Sequence, residues 1–348
     1  MTVYAYYSDD TDAPTLSGTA GTLLDVLRAC LIDGYGSKSP VGWSEEFTGT
    51  NVAVFRPLLG YRHYLRVQDD AAFSATYTAM KAGWIAYETM TDIDTGTNAY
   101  GLALYTQGSP ITKSDELSTT TRPWKLFADE YCFHLFTYPD ADVPTLAAGY
   151  FFGDLVAFGD HPYAATTYGD ITDLDPAANL PGVYNRYGRL SYISNSSTNS
   201  RVARTWKLYD GSSVNPYAHL TSDFARGLIN TSTDIDDYLN NGLGYRRYSL
   251  GVPNSQGVGV IARPVYVVEI PTEATTRIVG AVPGLYDQLT ASPGTDILLT
   301  NVTGMTDRVF MIVGISSYIN TSTWVTNSSS NVGVGQGYAM IDITGPWR

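Results

Sequence analysis

Short segments in which apolar and polar residues alternate with period two recur along nearly the whole chain after residue 33, separated by turn-forming residues. Alternation at that period sends successive side chains to opposite faces of an extended backbone, so each segment reads as a half-buried β-strand. The segments lie at 51–55, 63–67, 124–128, 131–138, 190–193, 258–262, 265–270, 309–315 and 338–343. Asp129-Glu130 falls between two of them and predicts a tight hairpin. Many short strands between turn-rich stretches predict a mainly β fold, either an antiparallel β-sandwich or an irregular barrel.

One segment departs from this pattern. Leu23, Val26, Leu27, Cys30 and Leu31 recur at helical spacing and predict an amphipathic packing helix over residues 22–33. Thr22 followed by Asp25 fits a variant of the capping box, and Gly34 fits a left-handed helix end. A helix this short cannot bury its own stripe, so it is expected to pack on the sheet carrying Val54, Leu65 and Val67. Gly34, Gly36 and Gly42 would then permit a tight loop anchored by Trp43 and Phe47. Weaker helical patterns occur at 71–81 and 222–229. Residues 160–182 contain three prolines, several Asp and no sustained apolar period. The expected organisation is an N-terminal β-rich domain over 1–160, a linker or long loop over 161–182 and a C-terminal β-rich domain over 183–348.

Composition narrows the function. Charged residues make up only 16% of the chain, well below the usual quarter, and Thr, Ser, Gly, Asn and 27 Tyr take their place. Such a surface is inexpensive to order against protein, because Tyr offers large area with few rotatable bonds. A net charge of −13 argues against holding nucleic acid or an anionic membrane. No stretch is apolar enough for a membrane span, the first residues lack the pattern of a cleaved signal, and Cys30 and Cys132 read as reduced core residues.

The chemistry-bearing residues do not assemble into a recognisable set. His63, His134, His161 and His219 are scattered, and His134 alternates with Cys132 and Phe136 as a hydrogen-bonded core histidine would. No GxSxG pentapeptide occurs, and Gly333, Gly335 and Gly337 lack the Lys-Ser/Thr of a phosphate loop. The carboxylate clusters at 92 and 94, at Asp129 and Glu130, at 170, 173 and 175, and at 234, 236 and 237 could offer a glycosidase pair but read as turn-forming, with calcium binding at one of them left open. Trp84, Tyr87, Tyr184, Tyr187, Tyr245 and Tyr248 are candidates for stacking on sugars, though aromatic residues in an assembling protein more often anchor interfaces. The expectation is therefore a non-enzymatic chain with no catalytic residues, no cofactor and no metal. Its interface candidates are Trp43, Phe47, Arg56, Arg62, Arg66, Tyr245, Arg246 and Arg247. The competing role for Arg56, Arg62 and Arg66 is pairing within the chain to acids such as Asp69 and Asp70.

The segments LLDVLRACLIDGYGSKSPVGWSEEFTGTNVAVFRP (23–57), YLRVQDD (64–70), YETMTDIDTGT (87–97), RPWKLFADEYCFHLF (122–136) and FGDLVAF (152–158) follow one another through the first half. In that order they resemble a family of virion structural proteins encoded in tailed bacteriophages and prophages. The second half is similar only in short phrases, VPGLYDQL (282–289) and STW (322–324). The resemblance implies a place in the phage particle and carries no catalytic residues. The expected function is a structural component of the tail or baseplate, assembled in the host cytoplasm and contacting copies of itself and other virion proteins. A capsid decoration or head-tail collar protein is the near alternative. From another class comes a receptor-binding or glycan-degrading tail protein with a host glycan as partner.

Overall fold

The computed structural model describes residues 2–70, 81–101, 109–114, 118–139, 148–168, 203–212, 217–220, 262–272, 275–288, 298–300, 302, 304–305, 307–316 and 337–348. After strand β1 (Tyr4–Tyr7) comes one helix, α1 (Thr22–Arg28), which widens into a π-helical turn over Ala29–Asp33. Six strands then form one sheet: β2 (Ser44–Gly49), β3 (Val52–Arg56), β4 (Tyr64–Gln68), β5 (Lys81–Asp92), β6 (Thr95–Tyr100) and β7 (Ser109–Thr112). They lie in the order β2-β3-β4-β5-β6, with β7 paired to the first residues of β5.

The second sheet adds to β1 the strands β8 (Trp124–Ala128), β9 (Cys132–Thr137), β10 (Ala148–Asp154), β11 (Val156–Ala157), β12 (Ala165–Tyr168), β13 (Ala203–Thr205) and β14 (Tyr217–Leu220). It continues through β15 (Ala262–Thr272), β16 (Thr275–Gln288), β17 (Leu298–Leu299), β18 (Phe310–Ser316) and β19 (Gly337–Asp342). Its order is β1-β8-β9-β10-β12-β13-β14-β15-β16-β19-β18-β17, with β11 against β16. Every pairing described is antiparallel. The mainly antiparallel β class is thus as the alternation predicts, in sandwich form, with one N-terminal helix among the described residues, which close no barrel.

Strands β8, β9 and β10 are buried on both faces, and their alternation sorts side chains between two cores. Leu126, Ala128, Phe133, Leu135, Tyr150 and Phe152 join α1 and the inner face of the six-stranded sheet, including Ala53, Phe55, Leu65, Val67 and Trp84. Phe127, Cys132, Phe136 and Phe151 face the other way, onto Val265, Val267, Val279, Leu285, Val313 and Ile341. All six residues of β9 are buried. His134 belongs to the second face: its Nε2 donates to the Pro283 carbonyl at 2.8 Å, and the ring packs on Phe151 and Trp347. The Asp129 hairpin forms as predicted, with Ala128 opposite Phe133 and the Asp129 Oδ1 accepting from the Tyr131 and Cys132 amides. Strands from either side of residues 161–182 hydrogen-bond into one sheet, and Ala165–Tyr168 is itself a strand on β10. Residues 169–182 lie outside the described residues, as do the helical pattern at 222–229, the strand at 190–193 and all of the helical pattern at 71–81 except Lys81, which opens β5.

Local details of the helix differ from expectation. Gly21 occupies the N-cap with no side-chain cap, and the Thr22 hydroxyl donates to the Ser17 and Thr19 carbonyls instead. The helix is capped from a distance: Asp69, next after β4, accepts from the Leu23 amide through Oδ2 at 2.8 Å. Lys113, directly after β7, completes this node by donating to Asp69 Oδ1 and, at 2.6 Å, to the Thr19 carbonyl. Gly34 is not left-handed helical; it sits at φ 81 and ψ 171, where its amide closes the wide turn on the Ala29 carbonyl at 2.8 Å. A Cβ there would lie 2.6 Å from the Lys38 carbonyl oxygen, so the loop needs glycine for space as well as for φ. The helix shares its core with Ala53, Phe55, Leu65 and Val67 of the expected sheet, while Val54 stands opposite Arg66 on that sheet's other face.

Candidate functional site

The β3–β4 connection places its apolar side chains in water. Leu58, Leu59 and Tyr61 are 46%, 42% and 39% exposed, and Gly60 and Arg62 beside them are exposed as well. The backbone is nevertheless fixed. Leu59 N–H donates to the Glu130 carbonyl at 2.9 Å, Tyr61 N–H to Asp154 Oδ2 at 3.0 Å, and the Tyr61 hydroxyl to the Pro162 carbonyl at 2.8 Å. Arg56 Nε donates to the Arg62 carbonyl at 2.9 Å and closes the loop on itself.

Asp154 is the key support. Burial raises its carboxyl to about 7, against the pull of the Tyr61 amide and Arg348. Gly60 lies directly over it, at φ 80, where a Cβ would come within 1.9 Å of Oδ2 and 2.8 Å of the Tyr131 ring. Gly60→Ala is therefore expected to lower stability by about 2 kcal/mol and to free the loop. Thermal unfolding together with amide exchange at Tyr61 would show both effects.

Behind the loop is an aromatic cluster. The Tyr61 ring stacks on His63 at 5.6 Å, and Trp206 packs against Tyr61, His63 and Tyr163. His63 bonds the Tyr100 hydroxyl through Nδ1 at 2.8 Å, and burial lowers its pKa to about 4, so it is neutral at pH 7. Glu88 gathers Trp206 Nε1 at 2.9 Å, Lys207 Nζ at 3.0 Å and Asn98 Nδ2 at 2.7 Å on one carboxylate oxygen. Lys207 lies over the Trp206 ring at 4.3 Å. The cluster joins the two sheets and backs Tyr61 with rings, leaving a rigid aromatic exposed at low entropic cost, as binding anchors are.

Of the candidates read from the sequence, Arg56 and Arg62 flank this loop. Arg56 stacks over Tyr64 at 4.6 Å, while Arg62 is exposed at φ 57. Arg66 pairs within the chain, with Asp94 at 2.6 Å and with the Ile93 carbonyl, while Asp69 turns inward to Lys113. Trp43 is buried, donating Nε1 to the Asp129 carbonyl at 3.0 Å, and Phe47 is half-buried on edge strand β2. Trp84 is fully buried and out of reach of a sugar. Tyr184, Tyr187, Tyr245, Arg246, Arg247 and Tyr248 lie outside the described residues, as do the Asp clusters beyond residue 169. Asp92 and Asp94 belong to the β5–β6 hairpin, where Asp94 is committed to Arg66. Among the described residues no three His, Cys, Asp or Glu side chains could hold a metal together, and no helix is long and apolar enough to cross a membrane.

Leu58, Leu59 and Tyr61 were not singled out from the sequence. Their signal is an apolar run, LLGY, between Pro57 and Arg62, in a position that turn chemistry assigns to a loop. Together the fold and the loop define a mainly antiparallel β protein with a fixed, partly exposed apolar loop. No protein-family model matches the chain, and no curated protein matches it.

Proposed function

We propose that this chain is a non-catalytic structural component of a tailed-phage virion, tail- or baseplate-associated, that works by packing against copies of itself and neighbouring virion proteins. The observation that carries the proposal is the rigid exposed run Leu58-Leu59-Gly60-Tyr61-Arg62, held out by a buried carboxyl and an aromatic backing. The low charge of the whole chain and the resemblance of its first half to phage virion proteins point the same way. In this reading the loop supplies the apolar centre of a subunit contact, with Arg56 and Arg62 at its polar rim.

Leu58→Asp with Leu59→Asp is expected to lower folding stability by no more than about 2 kcal/mol, because each side chain is already close to half exposed. The same change should abolish incorporation into particles. Quantitative mass spectrometry of separated tails and heads, for the parent and the double variant, reads this out. Enrichment with heads would move the assignment to a decoration or collar protein, and absence from the particle would end the structural reading.

A further inference from the structure

We propose that Lys113 and Asp69 become joined by an intramolecular isopeptide bond, through condensation of the lysine Nζ with the aspartate side-chain carboxyl. The two groups are in direct contact, and both side chains are wholly shielded from water at 0% exposure. They sit immediately beyond β4 and β7, which flank β5 on opposite sides, Val67 and Ser109 both being paired with Trp84. An amide here would tie the two neighbours of β5 to each other and to the start of α1.

The surroundings suit the reaction. Burial lowers the Lys113 pKa and raises that of Asp69, and both shifts favour the neutral amine and neutral acid that condense. The Asp69 carboxyl is polarised through Oδ2 by the Leu23 amide. The Nζ lone pair adds to Cγ and the Cγ–Oδ1 bond breaks. Oδ1 then departs as water, carrying the acid proton and one amine proton, so no oxidant or activating group is consumed. The Asp70 carboxyl acts electrostatically on both partners.

The product leaves no polar atom stranded. Its single N–H retains the Thr19 carbonyl, now 2.6 Å from Nζ, and its remaining oxygen retains the Leu23 amide. The hydrogen bond between the two groups is replaced by the covalent bond, and the dry site holds back the reverse hydrolysis.

Intact mass of the purified, denatured full chain tests the proposal independently of any role in a virion. The expected mass is one water below that of the sequence, with a branched peptide linking Lys113 to Asp69 in the digest. Lys113→Arg keeps the positive charge but cannot condense, and should restore the full mass. A parent chain at full mass, with Lys113 and Asp69 recovered in separate unmodified peptides, overturns the proposal. A water deficit that persists in Lys113→Arg also overturns it, by placing the dehydration elsewhere. The parent measurement decides even if the variant does not fold.

Discussion

Replacing Asp69 with alanine is expected to destabilise the chain by roughly 3 to 5 kcal/mol, measurable as a lowered urea midpoint at unchanged m-value. Asp69 serves two elements at once: Oδ2 caps the first turn of α1 through the Leu23 amide, and Oδ1 holds Lys113. Removing it leaves a fully buried lysine without its counter-charge and a helix start without its acceptor, and the helix stripe of Leu23, Val26 and Leu27 is seated on the first core. The direction is the same whether the pair is ionic or condensed. Combining Asp69→Leu with Lys113→Met should recover much of the loss, because no lone charge then remains in the core. The residual deficit, about 1 kcal/mol for each orphaned group, belongs to the Leu23 amide and the Thr19 carbonyl. A loss below about 1 kcal/mol in Asp69→Ala would show that the node is not a principal support of the helix.

Stability is expected to be greatest near pH 6.5 and to fall on both sides. His63 and His134 are buried and held at about 4, below their ordinary 6.5. A depressed folded-state pKa means that the unfolded chain takes up protons first. Their contribution is therefore complete above pH 6.5 and is lost as the pH falls from 6.5 through 4, about 3 kcal/mol for each histidine. Asp154 acts in the opposite sense. Its carboxyl is raised from 3.8 to about 7, so its contribution is complete below 3.8 and is lost as the pH rises through 7. Between pH 4 and 6.5 the two histidines climb and Asp154 descends, a net rise of about 1.4 kcal/mol per pH unit, from which the raised carboxyls of Asp69 and Asp129 subtract as they ionise. Above 6.5 only the descending term remains, until Asp154 is ionised. Asp154→Asn keeps a carbonyl for the Tyr61 amide and removes the titration, so its acid limb should steepen to about twice the parent slope. Urea unfolding at half-unit intervals from pH 4.5 to 7.5 measures both profiles. A flat parent curve, or an unaltered slope in the asparagine variant, would contradict the assignment.

The chain's β character, its helix and several strand positions were legible because they are local properties. Trp124–Ala128 and its hairpin partner coincide closely with the alternation, as do β3, β4, β18 and β19 to within a residue at most ends. Period and turn chemistry depend on neighbours in sequence, so they can be read without the fold. The same holds for His134, whose place between Cys132 and Phe136 on a strand already implied a core.

Which face meets which partner was decided only in three dimensions. The alternation of β8, β9 and β10 cannot reveal that both faces are covered, because that depends on β15 to β19 arriving from residues beyond 262. Val54 belongs to the sheet on which the helix packs but points away from the helix, opposite Arg66, since neighbouring residues of a strand take opposite faces. The capping acid of α1 lies 46 residues away in sequence from Leu23, and Lys113 a further 44 beyond Asp69. Leu58, Leu59 and Tyr61 became a surface only once Asp154, Pro162 and Trp206 had fixed the loop from another sheet. By itself the sequence determined the periods, the turns and the sparse charge of this protein, since these follow from each residue and its immediate neighbours. The pairing of its buried charges and the placing of its exposed apolar loop were left to the tertiary structure, because each depends on groups that only long-range packing brings within reach.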